Sequence, residues 1–485
     1  MPRETREGER RSCDHSGDDE ALRRKERRSH EIDESLRCAT HAFASRWLPS
    51  LTPNLNPGDD AGRFERFIRE SWRATRKDML RVVNRVSYRS ALALYLFSQT
   101  PVPSGISEEE ELDGINGVVC VQAALLQIQQ LRSRLRSCQY YGSDVSAWSI
   151  GLTTASALPT TDFRPAFLDL EGRAYWAAVT WDTASSVTLE FNSTLTTGLK
   201  GACAEPAWVL ARGFLTKSFH ARTEAWRHAS FELTDEIASQ IISAAGVCRT
   251  YLWRTIASVK EALREGVDED RVLFAWDSFR DGIEVFKMTI EPLMSRCEKQ
   301  LNFLNQTNRL NWYLMVLHHH LGTLILTHAL ETANRSDLLT SIHETRLEAE
   351  HATLNVLDFG LKSTYVVGDP ESHRSTQSMT GQHTTPLPSS SAQPRNGLSF
   401  IGIDPCPDYV LASVQLIYMA IHRKYQQRTI TREVHTNLSS IILRALDQLP
   451  QSSKSVFTVR QNLQQLVQDA DTDAALNTIP PGDAS

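Results

Sequence analysis

The most apolar long stretch of the chain runs from Asn308 to Glu331, NRLNWYLMVLHHHLGTLILTHALE. One helical face of it is formed by apolar residues spaced three or four apart, followed by a histidine: Leu310, Leu314, Leu317, Leu321, Leu324 and His328. Other apolar residues widen this face until little of the circumference is polar: Trp312, Met315, Val316, Leu326 and Leu330. Such a helix is buried in a bundle or spans a membrane. Because three histidines interrupt the roughly 20 apolar residues that a span needs, the stretch predicts the central buried helix, 308–331, of a soluble all-α protein.

The rest of the chain predicts a multi-helix domain around this segment. At 485 residues the chain exceeds what one core usually organises, so two or more helical layers or subdomains are expected. A helix capped by Asp60 is predicted over Arg63–Trp72, and the same periodicity continues from Met79 to Phe97. Ser107 is a predicted N-cap, because four glutamates follow it in what would be the first helical turn. Further helical patterns cover five segments: Val118–Leu135, Trp208–Trp226, Thr234–Arg264, Arg271–Ile290 and Leu338–Leu361.

Composition shifts divide the chain into five parts. Residues 1–36 carry almost no large apolar side chains and are predicted to be disordered. Residues 37–365 form the helical domain, and a segment rich in Gly, Pro, Ser, Thr and Gln over 366–397 predicts a flexible linker. Residues 398–470 return to a helical pattern and form the C-terminal part of the same domain. A disordered tail is expected over 471–485.

A short basic run near the N-terminus consists of Arg23, Arg24, Lys25, Arg27 and Arg28. Such a cluster is typical of a nuclear import signal or of a patch that contacts phosphates. Neighbouring acids nearly offset its charge, namely Asp18, Asp19, Glu20 and Glu26. A merely solvated charged segment is therefore an equal alternative.

Overall charge and composition exclude several classes of protein. The net charge of −6 gives no general attraction to nucleic acid or to an acidic membrane surface, so any contact with DNA would need a local patch. The first residues are charged and lack the apolar segment of a signal peptide. We therefore expect an intracellular protein with no membrane association.

The metal-ligating residue types lack the spacing of a metal site. The eight cysteines are scattered and contain no Cys-x-x-Cys pair, which argues against structural zinc and a disulfide framework. Cys120, Cys248 and Cys297 fall on helical patterns and are expected to be small core residues. Neighbouring helical positions lie about 100° apart, so His318, His319 and His320 are interpreted as core or interface histidines with satisfied hydrogen bonds. No metal ion and no cofactor are expected.

Catalytic motifs are also missing from the sequence. It contains no glycine-rich phosphate loop, no Gly-x-Ser-x-Gly and no His-Glu-x-x-His. Asp182 in WDTASS has the chemistry of a catalytic acid, but no partner group lies near it in sequence. A structural hydrogen-bonding role, or a polar position within a helix bundle, is the favoured interpretation. The chain is not expected to be an enzyme, and an all-helical terpene cyclase is disfavoured because no Asp-rich motif for pyrophosphate is present.

Three segments together carry a family resemblance. They are SYRSALALYLFSQTPVP (Ser87–Pro103), AYWAAVTWDTASSVTLEFNSTL (Ala174–Leu195) and WYLMVLHHHLGTLIL (Trp312–Leu326). In this order they resemble the opening segment, the Trp/Asp-Thr-x-Ser helix and the central Leu- and His-bearing helix of the fungal transcription factor domain. That domain is the regulatory region of binuclear zinc-cluster transcription factors. The resemblance covers roughly Cys38 to Leu449, and it implies an all-α regulator of transcription located in the nucleus.

Two departures from the family pattern limit what the resemblance implies. The usual Arg-Pro continuation after the Trp/Asp helix is replaced by Phe191, Asn192 and Ser193. Family members also begin with six closely spaced cysteines that hold two zinc ions and place a helix in the major groove. Only Cys13 and Cys38 precede the domain here, and two thiolates cannot complete a four-coordinate site. The resemblance therefore implies a regulatory domain without its usual DNA reader.

Two functional hypotheses follow. The first is a transcriptional regulator, of the kind that controls a metabolic or secondary-metabolite gene cluster in that family, reaching DNA through a zinc-cluster partner. The second is a helical interaction protein that acts as dimer partner or competitor of a full-length relative, with no DNA binding of its own. Both imply a protein partner or a homo-oligomer.

Overall fold

The computed structural model describes the backbone of residues 5–51, 59–140, 165–189, 191–195, 206–228, 231–366 and 397–476. These residues form two compact units. The first comprises Met1–Arg46 and Gly58–Asp182, and the second comprises Trp47–Pro57 and Thr183–Ser485. Helices make up almost all of the described chain, which confirms the predicted all-α class. Among the described residues, no helix combines the length and hydrophobicity needed to cross a bilayer.

The first unit is a cluster of helices in which α1, α3, α4 and α6 make the main contacts. Its helices are α1 (Thr5–Ser45), α3 (Asp59–Val82), α4 (Tyr88–Ser98), α5 (Glu108–Leu112), α6 (Gly117–Tyr140) and α7 (Pro165–Thr188). The unit boundary falls within α7. The short α2 (Leu48–Leu51) belongs to the second unit.

Helix α1 contributes to the core of the first unit mainly through small side chains. Ile32, Ser35, Ala39 and Ala42 are buried at spacings of three or four residues, so they share one helical face. This face packs on α3 and α4. The predicted boundary between residues 36 and 37 therefore falls inside α1. It was placed by the first large apolar side chains, and the buried face of α1 consists mainly of small ones. Residues 1–4 and the side chains up to residue 18 lie outside the described residues, where disorder stays a prediction.

The helix predicted over Met79–Phe97 is interrupted in the structure, where α3 and α4 are separate. The side-chain amide of Gln127 donates hydrogen bonds of 2.9 Å to the carbonyl oxygens of both Val82 and Val83. Ser87 then caps α4 by accepting a 3.0 Å hydrogen bond from a backbone N–H of its first turn. These hydrogen bonds satisfy backbone groups that the break leaves without helical partners. The helical periodicity of the sequence did not reveal the break.

The second unit holds the remaining helices. They are α8 (Pro206–Gly213), α9 (His220–Arg222), α10 (Asp235–Glu265), α11 (Glu269–Thr289), α12 (Glu291–Lys299), α13 (Gln306–Thr332), α14 (Ser336–Ser341), α15 (His343–Lys362), α16 (Phe400–Ile403), α17 (Pro407–Gln426), α18 (Arg432–Gln448) and α19 (Lys454–Leu476). A π-helix (Phe214–Phe219) and two short 3-10 helices (Ala225–Arg227 and Leu301–Phe303) complete the helical elements.

Helix α13 is the centre of this unit, as predicted for residues 308–331. It packs against α10, α15 and α17. Leu317, Leu321, Leu326 and Leu330 are fully buried. Asn305 caps its N-terminus by accepting a 2.8 Å hydrogen bond from a backbone N–H of the first turn. The central buried helix is therefore confirmed.

Two glycines allow the closest helix contacts of this core. A Cβ on Gly322 of α13 would lie 2.5 Å from Nε1 of Trp253 in α10, and a Cβ on Gly360 of α15 would lie 2.6 Å from the ring of Tyr313. Since real Cβ atoms do not approach other atoms so closely, no other residue fits here without a shift of its neighbour. The indole of Trp253 uses this space to donate a 3.0 Å hydrogen bond to the carbonyl oxygen of His318.

Two sequence predictions in this unit need correction. The segment Trp208–Trp226, predicted as one amphipathic helix, is divided among α8, the π-helix, α9 and a 3-10 helix. The helix predicted over Leu338–Leu361 is divided at Ile342 into α14 and α15. Helical periodicity alone does not distinguish α-helix from π-helix or locate such short breaks.

The predicted linker is bracketed by two short strands. β1 (Thr364–Val366) pairs antiparallel with β2 (Gly397–Ser399), and Thr364 lies opposite Ser399. The residues between them, 367–396, and the end of the predicted tail, 477–485, lie outside the described residues. Flexibility of the linker and disorder of the tail stay predictions.

Candidate functional site

The three consecutive histidines of α13 face different neighbours. His318 lies between Arg249 of α10 and the ring of Tyr409, which it meets edge-on at 4.9 Å between centroids. His319 instead stacks on Phe286 of α11, with ring centroids 3.8 Å apart. As expected for adjacent helical positions, the three imidazoles do not share one site, although the rings of His319 and His320 meet edge-on with centroids 5.0 Å apart. Within the described part of the chain, no group of three or more His, Cys, Asp or Glu residues is arranged to hold a metal ion.

The contact between Arg249 and His318 fixes the state of the imidazole. A guanidinium group can only donate hydrogen bonds, and the Nη1 atom of Arg249 lies 2.9 Å from Nδ1 of His318. Nδ1 must therefore accept, which leaves the proton of the neutral ring on Nε2. Helix α10 and helix α13 are thus joined here by a buried polar contact, supplemented by the hydrogen bond from Trp253 to the His318 carbonyl oxygen.

All three histidines are held in the neutral form. Burial, and next the positive charge of Arg249, hold the pKa of His318 well below its ordinary value. Burial, with His320 and Arg249 as smaller causes, does the same to the pKa of His319. Burial also lowers the pKa of His320 to about 4. None of the three is therefore charged in the folded protein near neutral pH.

The expectation that these histidines have satisfied hydrogen bonds is only partly correct. His318 and His319 are buried, as expected. However, Nε2 of His318 and Nδ1 of His319 have no hydrogen-bond partner among the described residues. A buried polar atom without a partner costs free energy. The interior of the second unit therefore contains polar atoms whose burial lowers its stability.

A small enclosed space adjoins His319 and His320. Phe286, Lys287, Glu291 and other residues also line it, and it holds about 10 Å³. This volume is close to the minimum for one water molecule. The space beside His319 and His320 therefore has room for about one water molecule.

A second polar cluster joins α13, α15 and α17. Glu331 of α13 is bound by Arg423, with an Nη2–Oε2 distance of 2.9 Å, and by Arg346 at 3.0 Å. Arg346 also contacts Glu350 at 2.9 Å, and Lys424 reaches the same carboxylate at 2.6 Å. Burial raises the pKa of Glu350, but Lys424 and Arg346 together outweigh it and hold the pKa below its ordinary value. Sequence analysis missed this cluster, because its members come from distant segments.

The basic run lies on the exposed surface of α1. Arg23, Arg24, Lys25, Arg27 and Arg28 are all solvent-exposed. Arg24 pairs with Glu20 one helical turn away, at 3.1 Å. The helix places these cations along one short stretch that remains accessible to a partner. The import signal and the phosphate-contacting patch both stay predictions.

Asp182 is fully buried in α7, together with the adjacent Thr183. This position agrees with the predicted polar site inside a helix bundle. Its neighbour Trp181 stacks on Tyr95 of α4, with ring centroids 3.7 Å apart. The Trp/Asp segment therefore contributes to the protein interior.

The described cysteines are free thiols. Cys120, Cys248 and Cys297 are buried, and burial raises the pKa of each to about 12. Their role as small core residues is confirmed, and their protonated thiols are poor nucleophiles. The side chains of Cys13, Cys138 and Cys203 lie outside the described residues.

No match was found when the chain was compared with protein-family models, with curated proteins or with solved structures. The resemblance described above therefore rests on its three motifs and their order.

Proposed function

We propose that this chain is a transcriptional regulator similar to the fungal zinc-cluster factors, and that it acts in the nucleus through a DNA-binding partner. Support comes from where the resembling motifs lie. Trp312 and Leu317 of the Leu/His motif and Asp182 of the Trp/Asp motif are buried. Buried residues determine which fold a sequence adopts. Motifs that are shared because two proteins have the same regulatory domain are therefore expected to be buried. The resemblance alone suggests that its target is a metabolic or secondary-metabolite gene cluster.

The two cysteines that precede the helical domain do not form a zinc site between them. Cys13 and Cys38 both lie on α1, and 25 residues of helix span about 37 Å at 1.5 Å per residue. One zinc ion binds its ligands at about 2.3 Å, so these two cysteines cannot share it. Burial, then the hydrogen bond and charge of Asp78, also raise the pKa of Cys38 to about 11, whereas zinc binds the thiolate.

This geometry also favours a second candidate, a helical interaction protein without any role on DNA. Large apolar side chains remain exposed in both units, including Leu112, which is 83% exposed, and Phe303, which is 86% exposed. Contiguous exposed apolar surface marks interaction sites, so these side chains are candidates for contact with a partner. In this alternative the chain is a dimer partner of, or competitor with, a full-length zinc-cluster factor.

A tethering experiment tests the preferred proposal. The full chain is fused to an unrelated DNA-binding domain, and transcription of a reporter carrying its binding sites is measured in a fungal host. We expect a clear rise or fall of transcription relative to the DNA-binding domain alone. A matched fusion carrying Leu317→Asp, which should unfold the second unit, is expected to lose the effect.

The outcomes separate the two candidates. Unchanged transcription with a folded, nuclear fusion protein contradicts the regulator. If that same fusion co-purifies with a zinc-cluster factor of its host, the interaction protein is supported instead.

A further inference from the structure

A pocket of about 270 Å³ lies beside the π-helix of the second unit. It is lined by two aromatic rings, by short side chains of α10 and by one cation: Phe214, Phe219, Ser239, Ser243, Ala244 and Arg222. Ligand pockets typically have volumes of about 300–1,000 Å³ and combine apolar walls with a few polar groups. The volume of this pocket lies just below that range, and its lining likewise combines apolar walls with a few polar groups.

The π-helix creates the aromatic side of the pocket. Residues five apart on an α-helix lie about 140° apart, at 100° per residue. In the π-helix the backbone bonds to the fifth residue back, as His220 does to the Leu215 carbonyl oxygen. The wider turn brings Phe214 and Phe219 together, with ring centroids 5.6 Å apart. Single π-helical turns occur frequently at functional sites.

Helix α10 leaves the opposite side open. Ser239 and Ser243 lie one helical turn apart and therefore share a face, and both are exposed. Ala244, Gln240 and Val247 of the same helix also line the space, so this wall combines short, amide and apolar side chains. Phe214 is only partly buried and presents apolar surface to this space, whereas Phe219 is 1% exposed.

Arg222 supplies the only charge in the lining. It is exposed, and it makes no hydrogen bond or ion pair with any described residue. Other arginines of the same segment are engaged. Arg212 forms two hydrogen bonds of 2.7 and 2.6 Å to Asp281, and Arg227 donates to the carbonyl oxygen of Thr289 at 3.2 Å. Arg222 is therefore a free cation at an apolar pocket with no carboxylate in its lining.

We propose that this pocket binds a small organic acid, with its apolar chain or ring against Phe214 and Phe219 and its carboxylate paired with Arg222. Guanidinium and carboxylate groups match in geometry and form charge-assisted hydrogen bonds. The aromatic walls select a ligand with an apolar portion, and the volume limits it to a small molecule. This site is independent of the proposed role in transcription.

Titration calorimetry on the full chain tests the site, with octanoate as the probe and octanol as its uncharged match. We expect saturable binding of one octanoate per chain and weaker binding of octanol. Arg222→Gln should weaken octanoate about three- to tenfold, the effect of losing one accessible ion pair, and leave octanol unchanged. Lys217→Gln removes an exposed cation of the π-helix that does not line the pocket, and it should have no effect.

Filling the pocket provides a second test. Ser243→Phe places a ring in the space and should abolish binding of both probes. Ser239→Phe is the substitute if the first variant has an altered thermal midpoint. The proposal is overturned if octanoate does not bind saturably, if octanoate and octanol bind equally well, or if octanoate binding survives both Arg222→Gln and a folded pocket-filling variant.

Discussion

Arg249 donates a hydrogen bond to Nδ1 of His318 across the interface of α10 and α13, at 2.9 Å. A permanent cation therefore lies against a buried imidazole that must stay neutral. Protonating His318 would place a second positive charge beside the partly buried guanidinium of Arg249, at a position where the imidazole itself is buried. The folded second unit is consequently expected to be sensitive to acid.

The first prediction concerns this pH dependence. In an unfolded chain the pKa of a histidine is about 6.5. In the folded protein the pKa values of His318 and His319 lie well below this value, and the pKa of His320 is about 4. As the pH falls from 6.5 toward 4, the unfolded state binds protons that the folded state does not. The free energy of unfolding should therefore decrease, by about 1.4 kcal/mol per pH unit for each histidine. Urea unfolding between pH 4.5 and pH 7.5 measures the slope.

Variants assign that slope to the buried histidines. His319→Phe keeps a ring against Phe286 and should reduce the slope by about one proton. Equal slopes for His319→Phe and the unmodified protein would show that His319 does not titrate in this way.

The second prediction concerns the central helix. Leu317→Asp or Leu321→Asp places a carboxylate where the side chain is fully buried, at a cost of at least several kcal/mol. That cost is comparable with the whole stability of a domain, about 5–15 kcal/mol, so the second unit should unfold. Circular dichroism and thermal melting detect the loss. Asn311→Asp adds the same charge at an exposed position of α13 and should melt as the unmodified protein does.

The third prediction concerns the ion-pair cluster at α15. Glu350→Gln leaves Arg346 and Lys424 without their shared carboxylate, although Arg346 keeps Glu331. Because Lys424 is partly solvated, we expect a loss of about 1–3 kcal/mol in the free energy of unfolding. The control is Glu348→Gln, an exposed residue of the same helix. If the cluster contributes nothing to the free energy of unfolding, Glu350→Gln and Glu348→Gln will have equal urea midpoints.

The fourth prediction is that the purified chain holds no stoichiometric zinc. No cysteine or histidine group has ligand spacing in the sequence, and the described residues contain no group of three or more His, Cys, Asp or Glu arranged to hold a metal ion. Elemental analysis after dialysis measures the metal content directly. One or more tightly bound zinc ions per chain would reject the prediction.

The fifth prediction concerns DNA. Affinity for duplex DNA comes largely from neutralised phosphates, and the run from Arg23 to Arg28 is offset by nearby acids on a chain of net charge −6. The protein alone should bind promoter duplexes weakly, without sequence preference, and with a steep loss on adding salt. Anisotropy titration at physiological salt compares the unmodified chain with a variant in which the five cations are alanine. Tight binding to one sequence that survives this change would reveal a DNA-reading surface elsewhere.

The sequence predicted those features of the fold that depend on local pattern. The apolar periodicity of 308–331 identified the central helix, and Ser107 caps α5 by accepting a hydrogen bond from the Glu110 backbone N–H at 3.1 Å. Two features depend instead on small side chains or on backbone geometry: the buried face of α1 and the π-helix. No pattern of large apolar residues indicates either one.

The polar sites depend on residues that are distant in sequence. His318 and Arg249 are separated by 69 positions, and Glu331 and Arg423 by 92. Such pairs form only when the helices pack, so a single sequence does not reveal them. The pocket beside the π-helix was missed for the same reason, because Arg222 and Ser243 belong to different helices.

The pairing of β1 with β2 has a consequence for how the chain tolerates change. Thr364 and Ser399 are partners across the two strands, so the chain segment between them is closed at its base. For a flexible segment, as the sequence predicts over 366–397, doubling the number of residues costs only about 0.6 kcal/mol of closure entropy. Insertions and deletions between the strands should therefore leave the helical core intact, and this position is the best place to insert a reporter domain or an affinity tag.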